Sequence, residues 1–222
     1  MPDISKINNV AVADISKLDA VTFADGQKVN NQSVSLVTDA HTFIADNSSD
    51  TSNLTDITFS SGIDSTYDVY EFEFVNVKSY HDYVTFQFQV NATDGADYND
   101  SPITTTIFTA YHDEPAYGTF ASLGYDAVRD AAESTSDVIL SGFVANRADA
   151  SISGKMTLYA PSSGTYVKHF ISRISNAKID PAASDSHMAG YIDDTTAIDD
   201  IRFRMSSGNM DGLIRMYGIA KS

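Results

Sequence analysis

Apolar and polar residues alternate along much of the chain after residue 56. In the segment DVYEFEFVNV, Tyr70, Phe72 and Phe74 fall on one side of an extended strand, whereas Glu71 and Glu73 fall on the other. A period of two gives a strand one buried face and one wet face, which is typical of an antiparallel sheet. The pattern therefore predicts a strand whose aromatic side chains enter a core.

The same alternation recurs in two further segments, residues 83–90 and 201–205. The residues predicted to face the core are Val84, Phe86, Phe88, Val90, Ile201, Phe203 and Met205. Those predicted to face solvent are Thr85, Gln87, Gln89, Arg202 and Arg204. Each segment is therefore expected to form a strand with one face in the core and the other in solvent.

About nine β-rich runs can be identified by this pattern and by β-propensity. They are residues 57–61, 68–77, 83–90, 103–111, 137–143, 151–160, 165–174, 201–205 and 212–219. Turn signals separate them, and we expect SSGTY and the later SSGNMDG to close hairpins. The spacing predicts an all-β antiparallel β-sandwich, jelly-roll-like, in which only residues 125–133 carry helix formers.

Residues 4–36 form three copies of an eleven-residue phrase. Equivalent positions hold Lys6, Lys17 and Lys28, followed by Ile7, Leu18 and Val29. Asn-Asn pairs at 8–9 and 30–31 favour turns, so each copy is interpreted as strand, turn and strand. A right-handed helical coiled coil and a segment that orders only on binding are the alternatives. Because so small a hairpin is marginal in water, the repeat is expected to need neighbouring copies, another subunit or a host surface.

The chain is accordingly divided into an N-terminal repeat and attachment segment, residues 1–45, and a sandwich domain, residues 57–222. A polar stretch containing DNSSDTSN has few apolar groups to bury and predicts a linker running to about residue 56.

Composition limits the partners. Hydrophobic residues make up 42% of the 222 residues, with 12 Tyr and 12 Phe, which is enough for a sizeable core. The formal net charge of -16 disfavours nucleic acid and anionic membranes as partners. The sequence has no run of 18 apolar residues, so membrane insertion is not expected. Without cysteine there are no disulfides and no thiolate chemistry. With no signal-peptide pattern at its start, the chain is expected to be made in a cytoplasm.

Motifs for catalysis are missing from the sequence. It has no GxSxG elbow, phosphate-binding glycine loop or HExxH pair, so an enzyme is not expected and no catalytic, cofactor-binding or metal-binding residue is assigned. The Tyr-His-Asp triplets at 80–82 and 111–113 could orient a base or hold a metal. Each could equally end a strand and start a polar loop, which is the interpretation that we favour.

Clustered carboxylates and loop tyrosines raise two ligand hypotheses. Calcium could bind among Asp94, Asp97 and Asp100, or among Asp193, Asp194, Asp199 and Asp200. Solvated loop carboxylates are the simpler interpretation, since the spacing matches no EF-hand loop. Sugars could stack on Tyr98, Tyr117 and Tyr125, although loop tyrosines equally often pack back on their own sheet.

Several phrases resemble a recurrent domain of tailed bacteriophages, especially those of marine and cyanobacterial hosts. They are FSSGIDSTYDVYEFEFVNV, VTFQFQV, LYAPSSGTYVKHFISRIS and AIDDIRFRMSSGNMDGLIRMYGI, and the match that they mark extends over roughly residues 57–219. The closing phrase, residues 197–219, is the most specific. The opening ISKINNVAVADISKLDAVTF is similar to N-terminal phrases of fibre-type proteins from such phages, with Asn9 and Ala20 where those phrases have Gly.

This resemblance implies a virion structural protein, of the tail-fibre-like or capsid-decoration kind, that docks on the particle through its N-terminal repeats. Its partners would be other virion proteins, in a homo-oligomer for which a trimer is favoured. The alternative is a carbohydrate-binding host-recognition module at the tip of a fibre or spike, whose partner is a host-surface glycan. A depolymerase is a third hypothesis, but no pair of carboxylates stands out for it.

Overall fold

A computed structural model describes residues 6–7, 10–11, 28–29, 32–33 and 41–219, other than Asp94, Ala96, Ala116 and Tyr117. Every regular element in these ranges is a β-strand. The chain divides into two compact units, Met1–Asp39 and Ala40–Ser222. None of the described residues belongs to a helix that could cross a bilayer.

Two short strand pairs are described in the first unit. Strands β1 (Lys6–Ile7) and β2 (Val10–Ala11) pair antiparallel, as do β3 (Lys28–Val29) and β4 (Gln32–Ser33). The two pairs occupy equivalent positions of the first and third repeat copies, in agreement with the predicted strand, turn and strand. The corresponding positions of the second copy lie outside the described residues.

The second unit is a β-sandwich of two antiparallel sheets, as the alternation predicted. Its strands are β5 (His41–Asp46), β6 (Asp56–Phe59), β7 (Val69–Ser79), β8 (Val84–Ala92), β9 (Ile103–Asp113), β10 (Ala121–Tyr125), β11 (Val138–Val144), β12 (Ile152–Tyr159), β13 (Lys168–Ala177), β14 (Ala182–Ile192), β15 (Ile198–Met205) and β16 (Met210–Ile219). The large sheet has eight strands in the order β10-β9-β14-β13-β12-β7-β16-β5, and the small sheet has four in the order β11-β8-β15-β6.

Strand pairing in the sandwich is nested. Strand β7 pairs with β16, β8 with β15, β9 with β14, and β12 with β13, so early strands meet late ones around a central hairpin. This nested order of strand pairing is jelly-roll-like. The division into eight and four strands differs from two equal sheets, because β12, β13 and β14 continue the large sheet and leave the small one narrow.

Aromatic side chains fill the space between the sheets. The ring of Phe203 on β15 lies 5.2–6.5 Å, centroid to centroid, from the rings of Phe59, Phe72, Phe74, Phe86 and Phe88. All of the residues predicted to face inward are buried. The phenylalanine-rich period-two segments thus form one core, and aromatic pairs at such distances add to the hydrophobic stabilisation.

Two expectations about individual segments were wrong. Gln89, predicted to face solvent, is fully buried: its Nε2 donates to the carbonyls of Thr135 and Ser136, and its Oε1 accepts from the Val90 amide. These bonds satisfy the amide and make its burial tolerable. SSGNMDG does not close a hairpin, because β15 lies in the small sheet and β16 in the large one. SSGTY does close one, between β12 and β13.

Three strands lie outside the predicted runs. Strand β5 falls at the end of the predicted attachment segment and pairs with β16, so the sandwich begins near residue 41 and not at residue 57. Strands β10 and β14 are the others. The helix-forming run, residues 125–133, is not helical: Tyr125 ends strand β10, and residues 126–133 are turns and irregular backbone that bonds to strand β9. Ile107 N donates to Asp130, and Ala131 N donates to Thr105 Oγ1.

Candidate functional site

A pocket opens beside strand β9, where the large sheet extends past the small one. Along the inner face of β9, Ile103, Thr105 and Ile107 are buried in the core. Farther along the same face, Thr109 and Tyr111 line a cavity of about 400 Å³ instead. That volume lies within the usual range for a small-molecule site. The unequal widths of the two sheets therefore create the cavity.

Small residues on the edge strand β10 keep the floor of the pocket open. Ser122 is opposite Tyr111, and Gly124 is opposite Thr109, so both occupy the inner face next to the lining of β9. At the two ends of β10, Phe120 and Tyr125 also line the cavity and are 62% and 66% exposed. Two aromatic rings are thus available to a ligand at the rim.

Two cations share one aromatic ring at the opposite side of the pocket. Lys178 is only 9% exposed, and its Nζ lies 4.6 Å from the ring centroid of Tyr111 and 4.4 Å from that of Phe143. Arg129 Cζ lies 5.6 Å from the same Phe143 centroid. Cation–π contacts at these distances stabilise the charged forms of both side chains.

Phe143 reaches the pocket because strand β11 contains a β-bulge. Ser141 is opposite Phe86 and Val144 is opposite Val84, so β11 has one residue more than its partner between these points. The φ angle of Phe143 is +57°, which is unusual for a large side chain. Bulges re-aim side chains and are common beside functional sites. Here the bulge places the 44% exposed ring of Phe143 within cation–π distance of both Lys178 and Arg129.

Electrostatics in the pocket are set by close partners. Arg129 Nη2 contacts Asp126 at 3.1 Å. The Tyr111 hydroxyl donates to Asp113, and this bond, together with burial, raises the pKa of Tyr111 to about 12. Burial lowers the pKa of Lys178 below its ordinary value, and the neighbouring Arg129 lowers it further. The pocket therefore combines two cations, two carboxylates (Asp126 and Asp180) and aromatic surface.

The two Tyr-His-Asp triplets are placed differently from each other. In the second, Tyr111 and Asp113 are bonded at the pocket, whereas His112 turns outward and contacts the carbonyl of Asp113 at 2.8 Å. In the first, His81 Nδ1 lies 3.3 Å from Ser207 Oγ, and Asp82 accepts from the Asn146 amide. Neither triplet has its His bonded to its own Asp side chain.

The described members of the two acidic clusters do not converge on a metal site. Across the ranges that the structure describes, no three His, Asp or Glu side chains are placed to hold a metal ion. Asp94 lies outside those ranges. Asp194 accepts from the Thr196 amide at 2.7 Å, and Asp97 from the Asn99 amide at 3.3 Å, as turn carboxylates commonly do.

The three loop tyrosines have separate outcomes. Tyr125 lines the pocket, and its hydroxyl donates to Asp130. Tyr98 packs back on the small sheet, where Arg202 Cζ lies 4.4 Å from its ring centroid. Tyr117 lies outside the described residues. The pattern thus identified one residue of the pocket and gave no signal for Arg129, Phe143 or Lys178, which come from three separate segments.

No protein-family model, curated protein or solved structure matches this chain.

Proposed function

We propose that this protein is a non-enzymatic structural component of a bacteriophage virion, on its head or tail. Its N-terminal repeats attach it to the particle, and its β-sandwich is displayed outward. Its partners are other virion proteins and further copies of the same chain, with a trimer favoured. The sequence resemblance over residues 57–219 supports the particle context, and the division of the chain into two compact units supports separate roles for the repeats and the sandwich.

The observation that supports this proposal best is the repeat itself. Its described parts are antiparallel pairs of two-residue strands at equivalent positions of two copies, in a unit separate from the sandwich. Strand pairs this short bury too little apolar surface to be stable alone. A surface contributed by the particle, or by further copies of the chain, would supply the missing burial.

Immuno-electron microscopy tests the proposal directly. Antibody raised against residues 40–222 is applied to intact particles of the phage that encodes the chain. Gold label at one defined structure, head or tail, is the expected result, and it also assigns the location. Protein that is abundant in infected cells but absent from purified particles contradicts the proposal.

A carbohydrate-binding host-recognition module is a second candidate, and the pocket is the specific observation that favours it. Exposed rings of Phe120 and Tyr125 lie beside side chains that donate and accept hydrogen bonds. Aromatic surface with a few convergent polar groups is typical of small-ligand sites. An adhesin is also a virion component, so this candidate adds to the first.

Binding to polysaccharide from the host surface tests the second candidate. The full chain is applied to the immobilised polysaccharide with and without calcium. Saturable binding supports recognition, and dependence on calcium would indicate a bound ion. Failure to bind under both conditions leaves a purely structural protein.

A further inference from the structure

We infer that the pocket beside β9 binds an acidic sugar, a hexuronate unit of a glycan, and holds its carboxylate between Lys178 and Arg129. The inference rests on the glycan-binding candidate above and specifies the class of sugar and the residues that select it.

The first argument is the state of the Lys178 ammonium. The side chain is nine-tenths buried and contacts two aromatic rings, yet no hydrogen bond or ion pair joins its Nζ to any other described residue. An ammonium has three N–H donors, and ring faces compensate only part of its lost hydration. A ligand oxygen in the pocket would complete its coordination.

The second argument is the proximity of a second cation. Lys178 and Arg129 approach the same ring, that of Phe143, and Arg129 lowers the pKa of the lysine. Two like charges in a partly buried site disfavour each other. Asp126, Asp180 and Asp113 lie near enough to favour the charged lysine, but each is already bonded to another side chain: Asp126 to Arg129, Asp180 to the Tyr83 hydroxyl and Asp113 to the Tyr111 hydroxyl. One ligand carboxylate with two oxygens could accept from both cations, and such charge-assisted bonds are the strong ones.

The third argument is the surface around the cations. Phe120 and Tyr125 offer rings against which the C–H face of a pyranose can pack, and Ser122 offers a hydroxyl for hydrogen bonding. A cavity of about 400 Å³ has room for one or two sugar units. A carboxylate alone would use only the cations, whereas a uronate would use both parts of the lining.

The overall charge of the chain distinguishes these two cations from most of its surface. At a formal net charge of -16, most of the surface repels anions. Lys178 and Arg129 share one ring in a position reached from solvent through the cavity, and the two carboxylates that line the cavity with them, Asp126 and Asp180, already have partners in Arg129 and Tyr83.

Isothermal titration calorimetry on the full chain tests the inference. Sodium glucuronate and sodium galacturonate are compared with glucose, galactose and sodium acetate. We expect the uronates to bind at least about tenfold more tightly than the matched neutral sugars and than acetate, because only they engage both cations and rings.

Two variants with the same change of charge locate the site. Lys178→Met removes the ammonium at nearly constant length and is expected to weaken uronate binding by about tenfold or more. Lys155→Met, on the outer face of the large sheet where Lys155 pairs with Glu71, is expected to leave binding unchanged. Thermal melting and circular dichroism verify that each variant folds. If Lys178→Met does not fold, Arg129→Lys serves instead, since it keeps the charge but loses the planar fork.

Each contrary result has a distinct meaning. Neutral sugars that bind as tightly as uronates overturn the assignment of an acidic sugar but leave glycan recognition standing. Acetate that binds as tightly as glucuronate overturns the role of the sugar ring. Uronate binding that survives in Lys178→Met places the site elsewhere. No binding by any of these probes overturns the inference, whereas host polysaccharide binding and particle labelling would still decide the two functions proposed above.

Discussion

At the residue scale, two polar side chains, those of Lys168 and Tyr111, are held by specific partners. Lys168 is fully buried on β13, and its Nζ donates to the carbonyls of Asp194 and Thr196. These bonds attach the loop after β14 to the core of the sandwich. Tyr111 and Asp113 form the corresponding pair at the pocket, where the hydrogen bond changes how the phenol titrates.

Removal of the hydrogen bond between Tyr111 and Asp113 is expected to change the pKa of Tyr111. In the variant Asp113→Asn, the pKa of Tyr111 should fall from about 12 towards the ordinary value of 10.0, because the phenolate no longer forms beside a carboxylate. The folded pKa exceeds the unfolded one, so this pair's contribution to stability is complete below pH 10 and is lost as pH rises towards about 12. Phenolate absorbance during alkaline titration measures the shift.

Tyr111→Phe is the control for that titration. It should remove the late-titrating tyrosine and leave the rest of the curve unchanged. If Asp113→Asn and the unmodified chain give the same alkaline titration curve, the Tyr111–Asp113 bond is not responsible for the raised pKa.

Replacement of Lys168 is expected to destabilise the protein. Lys168→Met should lower the free energy of unfolding by about 1–3 kcal/mol, because two carbonyls lose a charged donor in the interior. The exposed Lys155 is the matched control, and Lys155→Met should cost at most about 1 kcal/mol, as for other surface ion pairs. Urea denaturation measures both. Equal stabilities for the two variants would contradict the anchoring role of Lys168.

At the element scale, close approach between strands limits which residues fit. Gly154 on β12 is opposite Ile174 on β13, and a Cβ at Gly154 would lie 2.8 Å from the Ile174 Cα. A backbone atom cannot move aside as a flexible side chain can. The pairing of β12 with β13, in the middle of the large sheet, therefore requires glycine at this point.

Replacement of this glycine should separate the strands. Gly154→Ala is expected to lower the free energy of unfolding by about 1–3 kcal/mol, as overpacking does elsewhere. A Cβ at Gly164, in the turn between the same strands, would meet no atom within 4 Å, so Gly164→Ala is the matched control and should have little effect. Chemical denaturation of both variants checks this, and a neutral Gly154→Ala would refute the steric argument.

The elements that the sequence predicted are those whose side chains alternate. Nine runs, including the three with an apolar residue at every second position, are strands of the sandwich. Strand β14, with sequence AASDSHMAGYI, has small and polar residues on its buried face, among them Ser184 and Ser186, so its period does not show in hydrophobicity. It is a strand because β13 and β9 bond to it on both sides.

The pocket was less predictable than the fold. Arg129, Phe143 and Lys178 come from loop 126–130, the bulge in β11 and the turn after β13, which are distant in sequence. The difference in width between the sheets and the bulge between Ser141 and Val144 bring these residues together. Neither property is encoded in local periodicity, which reports only the environment of a strand's own two faces.

At the scale of the whole molecule, the chain consists of a small repeat unit and a large sandwich. The sandwich has a continuous aromatic core and a strongly acidic composition, properties that suit a domain displayed at high local density in water. The repeat has only short strand pairs in its described parts. Attachment and display are thus assigned to different units, which is the central claim of the proposed function.

Light scattering coupled to size-exclusion chromatography tests this claim most directly. The full chain is compared, in one buffer, with residues 40–222, a boundary that keeps strand β5 and its pairing with β16 intact. The proposed function predicts an oligomer, with a trimer favoured, for the full chain and a folded monomer for residues 40–222. Monomers in both cases, or the same oligomer in both, would contradict the assignment of assembly to the N-terminal repeats.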